Sequence, residues 1–198
     1  MKISKGWIIL IVVVAIIVIL VGWGTGIYNK MVAQDENVGK AWANVENVYQ
    51  RRADLIPNLV ATVKGVADFE KSTLTDVIEA RAKATSVTID PKNLNAQSIQ
   101  QFQAAQDGLS SALSRLMVVV ERYPELKATQ NFLELQAQLE GTENRISVER
   151  MKFNETVQTY NTYIRSFPAA IFAGVFRFEK KTPFEAQEGA EVAPKVEF

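Results

Sequence analysis

A chain of 198 residues with 22 basic and 22 acidic side chains carries no formal net charge, and it contains neither Cys nor His. The balance leaves no sustained basic stripe for phosphates, so nucleic-acid binding is not expected. The missing residue types remove thiol nucleophiles, disulfides, cysteine lipidation, ordinary zinc sites, imidazole bases and the Glu-x-x-His pairs of di-iron bundles, and no cofactor or metal motif stands in their place.

The chain opens on its strongest signal. Ile8 to Val21 runs through Ile, Leu, Val and Ala without one polar side chain. Extended to Trp7–Tyr28, the segment rises about 33 Å as a helix and matches a hydrocarbon core of about 30 Å. Trp7, Trp23 and Tyr28 lie where amphipathic rings favour the headgroup level, and Lys2, Lys5 and Lys30 bracket the span. Residues 1–28 are therefore expected to be a short N-terminus and a transmembrane anchor. A cleaved signal peptide with a small-x-small site at Gly24-Thr25-Gly26 is the competing expectation, disfavoured because the apolar run is long for such a segment. Gly22-x-x-x-Gly26 is a small-x-x-x-small pattern that permits helix association in lipid. Lys2, Lys5 and the α-amino group precede the span, whereas Lys30 and Lys40 follow it; the difference of one charge tips the domain toward the extracytoplasmic side.

Residues 29–167 read as one helical domain. Val38, Trp42, Val45 and Tyr49, then Ile56, Leu59, Val63 and Val66, step by threes and fours with Arg52 in the missing seam position. Pro57 predicts a kink, or a restart with Asp54 as N-cap. Thr73-x-x-Asp76 resembles a capping box opening a shorter helix to about Ala84. Thr85–Asn95, with Asp90-Pro91, reads as a loop. A third helix carries Ile99, Phe102, Ala105, Leu109, Ala112, Leu116, Val120 and Tyr123 up to Pro124. The last long helix begins near Thr129. Its stripe runs Phe132, Leu135, Leu139, Thr142, Ile146, Phe153, Val157, Tyr160, Ile164 and Phe167, with Glu149 as intruder and Pro168 as stop. Residues 168–185 form a separate apolar, amphipathic segment in which Ile171, Phe172, Val175, Phe176 and Phe178 are expected to touch the membrane or a neighbouring copy, or to fold back over the bundle. Arg177, Lys180 and Lys181 would then meet anionic headgroups. Residues 186–198 are rich in Glu and Ala, with one Pro and one Gly, and are expected to lack fixed structure. No strand pattern appears, so the fold class is all-α: an anchor followed by an antiparallel, four-helix-bundle-like domain with a coiled-coil-like seam.

If the first and last long helices run antiparallel with Tyr28 and Phe167 both near the membrane, facing residue numbers sum to about 195. Arg52 then meets Glu143, with Glu149 as the next choice, while Val38 faces Val157 and Trp42 faces Phe153. The charge match selects this register from heptad-shifted ones, and a structural ion pair is the expected role. Asn144, Asn154, Tyr160, Asn161 and Arg165 give the last helix a polar flank, expected to make hydrogen bonds between helices or to face a partner. The carboxylate pairs Glu134 with Glu140 and Glu143 with Glu149 are expected to be solvated or salt-bridged, not catalytic.

Two stretches share a further property: the run from Ala41 through Trp42, Tyr49, Arg51, Arg52 and Pro57 to Gly65, and Glu143-Asn-Arg-Ile146 leading to Tyr160-Asn-Thr-Tyr-Ile-Arg-Ser-Phe-Pro168. With Glu79-Ala-Arg81 and Pro183-Phe-Glu-Ala186, they make the chain resemble the LemA family of bacterial membrane proteins. The resemblance implies a single-pass protein of the bacterial cell (inner) membrane with a helical-bundle domain and no established enzymatic activity. The expected function is a non-enzymatic, self-associating membrane scaffold with no cofactor, its partners being the lipid bilayer and further copies of itself. The alternative is an adaptor or regulator of another envelope protein, such as a membrane protease.

Overall fold

A computed structural model describes residues 5–65 and 70–185. Lys2, Val66 and the segment 186–198, on which expectations were placed above, lie outside the described residues. Helix α1 spans Lys5–Lys64, 60 residues without a break, so the apolar span continues directly into the bundle. Pro57 lies inside it, and Asp54 is no N-cap: its carboxylate accepts from Gln50 Nε2 at 2.7 Å, one turn earlier on the exposed face. The helix survives its proline because a donor is supplied from elsewhere. Pro57 has no N–H for the carbonyl of Ala53, and Arg81 Nε donates to that oxygen at 2.7 Å instead. Arg81→Met should therefore cost about 1–3 kcal/mol, the penalty of a buried carbonyl left unpaired. In a Pro57→Ala background the restored N–H should remove most of that loss, which chemical denaturation of the four variants would measure.

Helix α2, Lys71–Ser86, starts too early for the expected capping box. Thr73 already lies in its first turn and its hydroxyl reaches Glu70 Oε2 at 3.2 Å, so the residue in the N-cap position is Glu70 and makes no side-chain cap. A real box opens α3, Ala96–Val120, where Asn95 and Ser98 cap each other's backbone N–H. Between α2 and α3 the loop makes one 3-10 turn, Pro91–Asn93, held by the Asp90 carboxylate on the N–H of Lys92. After α3 comes a single helical turn, α4 (Pro124–Lys127), that periodicity over four residues cannot reveal. Thr129 then caps α5, Gln130–Arg165, and α6 covers Ala169–Phe176. From Phe178 to Glu185 the chain is an irregular strap. No strand occurs among the described residues.

The long helices α1 and α5 run antiparallel. Trp42 and Phe153 have ring centroids 5.5 Å apart, and Arg52 reaches Glu143 at 2.9 Å, so both contacts fall on one register. The core divides into two apolar clusters. One, near the span, holds Val38, Trp42, Tyr49, Phe102, Ile146, Phe153 and Phe184; the other, farther along, holds Ile56, Leu59, Leu109, Leu116, Phe132 and Leu139. Buried Arg52, Gln106 and Thr142 belong to neither cluster and lie in sequence between their members. The interior is thus apolar, polar and apolar along the bundle axis.

Candidate functional site

Three constellations could carry function: the span with α6, the strap on α5, and the polar layer. Along α1 the side chains from Ile8 to Val21 are exposed throughout, as are Trp7 and Trp23 at the two ends. Thr25, the first polar residue after them apart from the Trp23 indole, donates its hydroxyl to the Gly22 carbonyl at 2.9 Å, which satisfies it inside the helix. Gly22 and Gly26 face open space. The glycine used within the chain is Gly24, where an added Cβ would lie 3.1 Å from the Phe172 ring. Phe172 also meets Trp23 edge-on, and Tyr28 takes Phe176 and Phe178 with ring centroids 4.8 and 5.9 Å away. Helix α6 therefore docks on the final turns of the span. Phe172 and Phe178 turn inward, partly buried against the core beside Ala169 and Ala173. Ile171, Val175 and Phe176 face outward, and Phe167 is more exposed than any of them. Of the residues that could have folded back over the bundle, only Phe172 and Phe178 do so; Arg177, in the left-handed region at φ 58°, then turns the chain into the strap.

The polar flank of α5 bonds to that strap, not to another helix. Asn161 donates through Nδ2 to the Lys181 carbonyl at 2.8 Å and accepts the Lys181 N–H at 3.0 Å; Asn154 does the same to Phe184 at 3.0 and 2.8 Å. The spacing explains the match. Two helical turns rise about 10.5 Å and three extended residues advance about 10 Å, so amides seven apart on a helix meet every third strap residue. Tyr160 donates to the Glu179 carbonyl at 2.9 Å and Arg150 to that of Glu185 at 3.1 Å. Thr182 donates its N–H to the Leu94 carbonyl, tying the strap to the loop before α3. Phe184 is buried among Trp42, Phe102 and Phe153. Lys181 pairs with Asp35 at 3.2 Å and donates to the Lys92 carbonyl, so its nearly buried ammonium is not available to headgroups. Asn144 and Arg165, grouped with this flank in the sequence, are exposed.

Burial, with Asp35 and Glu179 nearby, pushes the Tyr160 phenol well above its ordinary value. The folded state therefore holds this proton more tightly than the unfolded chain, and the stability it contributes is full below about pH 10 and lost as pH rises above it. Tyr160→Phe should be less stable near neutrality by about 1 kcal/mol, for the hydrogen bond. It should also lose stability less steeply than the parent above about pH 10, as denaturation midpoints across that range would show.

In the polar layer Arg52, 2% exposed, donates through Nη1 to Glu143 Oε2 and Ser110 Oγ, both at 2.9 Å, and through Nη2 to Gln106 Oε1 at 2.8 Å. Gln106 passes the chain of bonds on through Nε2 to the Ala84 carbonyl in the last turn of α2. Glu149 plays no part, being paired with Lys152 at 2.7 Å. Arg52 is buried and positioned to hold four helices together. Among the described residues no group of three His, Cys, Asp or Glu side chains could hold a metal ion.

The family model described as the LemA family matches residues 41–198. The chain belongs to the LemA family. Its curated relatives include the magnetosome protein MamQ of Magnetospirillum gryphiswaldense, 25% identical over 85% of this chain and 70% of the relative. Magnetosome protein MamQ 2 of Paramagnetospirillum magneticum is 25% identical over 83% and 66%, and protein LemA of Metamycoplasma hominis 21% identical over 70% and 60%. The chain thus spans about two thirds of the length of these relatives. Family membership and the apolar first helix make it a LemA-type membrane protein. In this LemA-family chain both quoted family stretches have structural work: the first supplies Trp42, Arg52 and Pro57, the second Glu143, Tyr160 and Asn161.

Proposed function

We propose that this LemA-type protein acts without catalysis of its own, as a single-pass scaffold of the bacterial inner membrane that self-associates, with its bundle on the extracytoplasmic side. One observation carries the proposal: a single unbroken helix joins an exposed apolar span to the bundle, so contacts made between spans fix the positions of the bundles. Gly22 and Gly26 supply a face on which two spans can approach closely. The test is the mass of the full-length protein in mild detergent, by light scattering, at micromolar concentration. A monodisperse monomer would end the scaffold reading. Gly22→Leu with Gly26→Leu should shift the distribution to smaller species and leave helicity unchanged, since a Cβ at either position lies in open space.

The adaptor alternative has one observation in its favour. An open groove of about 820 Å³ runs beside α3, lined by Gln100, Gln103, Asp107, Ser111 and Arg115 and flanked by the strap residue Glu185. With Ile99 and Pro183 also in its wall, its mixed polar and apolar lining would suit a segment of another envelope protein. A monomer that retains one partner in fixed stoichiometry would favour this reading over the scaffold.

A further inference from the structure

We propose that the outer face of α6 is a second membrane contact, a short helix lying in the lipid interface beside the span. The proposal rests on α1 crossing the bilayer and deepens the membrane part of the reading above. Phe167, Ile171, Val175 and Phe176 all expose more than half of their surface, Phe167 83% and Val175 71%, on the end of the molecule where the span emerges. That apolar face is continuous with the exposed flank of α1: Leu20, Val21, Gly24 and Tyr28 line an open apolar groove of about 540 Å³ together with Phe172 and Phe176.

The level of α6 along the span decides which medium covers it. Phe172 meets Gly24, five residues before Asn29, the first amide or charged side chain after the apolar run, and five residues of helix correspond to about 8 Å. Interfacial helices bury their apolar faces about 5–10 Å below the headgroup boundary. Phe176 meets Tyr28, next to Asn29, so the contacts of α6 run from the headgroup boundary to about 8 Å below it, the zone where acyl chains begin. Charge agrees with this placement, since Arg165, Arg177 and Lys180 are exposed at the two ends of the segment, where long basic side chains reach headgroup phosphates. A second copy of the chain is the other possible cover. Lipid is favoured because the same surface continues without a boundary into the span, which lipid surrounds.

The absence of cysteine allows a direct test on the full chain. Ile171→Cys, Val175→Cys and, as a control on the exposed side of α5, Val148→Cys each take one nitroxide label, at positions already exposed, after reconstitution into phosphatidylcholine–phosphatidylglycerol vesicles. Val148 lies roughly 28 Å back along α5 from Phe167. Labels at 171 and 175 should be relaxed by dissolved oxygen and protected from a water-soluble nickel chelate, whereas the label at 148 should show the reverse. Nickel relaxation at 171 and 175 equal to that at 148 would overturn the proposal. So would protection from both reagents, and dipolar broadening that vanishes on dilution with unlabelled protein would then identify a second copy as the cover. The scaffold reading is judged separately, by mass in detergent, so the failure of either is distinguishable from that of the other.

Discussion

Phe184→Ala should destabilise the bundle by about 3–5 kcal/mol, the usual cost of emptying a buried phenylalanine site, although Phe184 lies on no helix. Its ring is buried and stands 5.9 Å from Trp42, 6.3 Å from Phe102 and 5.4 Å from Phe153, centroid to centroid, with the Arg150 guanidinium over it at 4.6 Å. Those rings come from α1, α3 and α5, so one strap side chain completes an aromatic cluster in which Trp42 already meets Phe102 and Phe153. Aromatic pairs of this kind add about 0.5–1.5 kcal/mol beyond area burial. Asn161→Ala should cost less, about 1–3 kcal/mol, because water can replace part of what the half-buried amide gives the strap backbone. Chemical denaturation of the full-length protein would rank the two, and amide exchange at Thr182 and Phe184 would show whether the strap opens before the bundle does. A loss of less than about 1 kcal/mol for Phe184→Ala would mean that the strap merely covers a core already complete.

The strap was the part of the fold least legible in the sequence, and the reason is physical. Helices announce themselves by repeating an apolar face, and α1, α3 and α5 did so over many turns. The strap repeats nothing: it is held by bonds from its main chain to Asn154, Asn161, Tyr160 and Arg150, by the Lys181–Asp35 pair and by one aromatic ring. A signal was present in the seven-residue spacing of the two Asn on the apolar side of α5, with Tyr160 between them, since amides placed there need partners that are not helices. Pro57 was similar. The interruption was visible, but the remedy lay in Arg81, 24 residues onward on another helix. The α1–α5 register was readable because Arg52 and Glu143 break two apolar seams at matching places. For the segment after Pro168, five apolar residues could be named, yet which of them turn inward depends on the rings and the gap that the span presents at Trp23, Gly24 and Tyr28.

The Arg52–Glu143 pair should respond asymmetrically to the loss of either member. The guanidinium is buried, with its side chain 3% exposed, whereas the Glu143 side chain is 54% exposed. Removing the carboxylate by Glu143→Ala leaves a cation in the layer between two apolar clusters, with the neutral acceptors Gln106 and Ser110 and the face of the Tyr49 ring. The expected loss is about 3 kcal/mol, at the lower end for an uncompensated buried charge. Arg52→Met removes the cation and keeps an unbranched chain of similar length, and Glu143 then turns to water at little cost. What remains unpaired is Gln106 Oε1, since Ser110 still donates to the Gln106 carbonyl at 3.2 Å, so the loss should be nearer 1–2 kcal/mol. The double variant should be about as stable as Arg52→Met alone, because without the guanidinium there is no buried charge for Glu143 to neutralise. Denaturation midpoints of the four proteins complete the cycle. Two equal losses of a few tenths of a kcal/mol, both abolished by salt, would instead mark the pair as an ordinary surface ion pair and leave the register held by Trp42 and Phe153 alone.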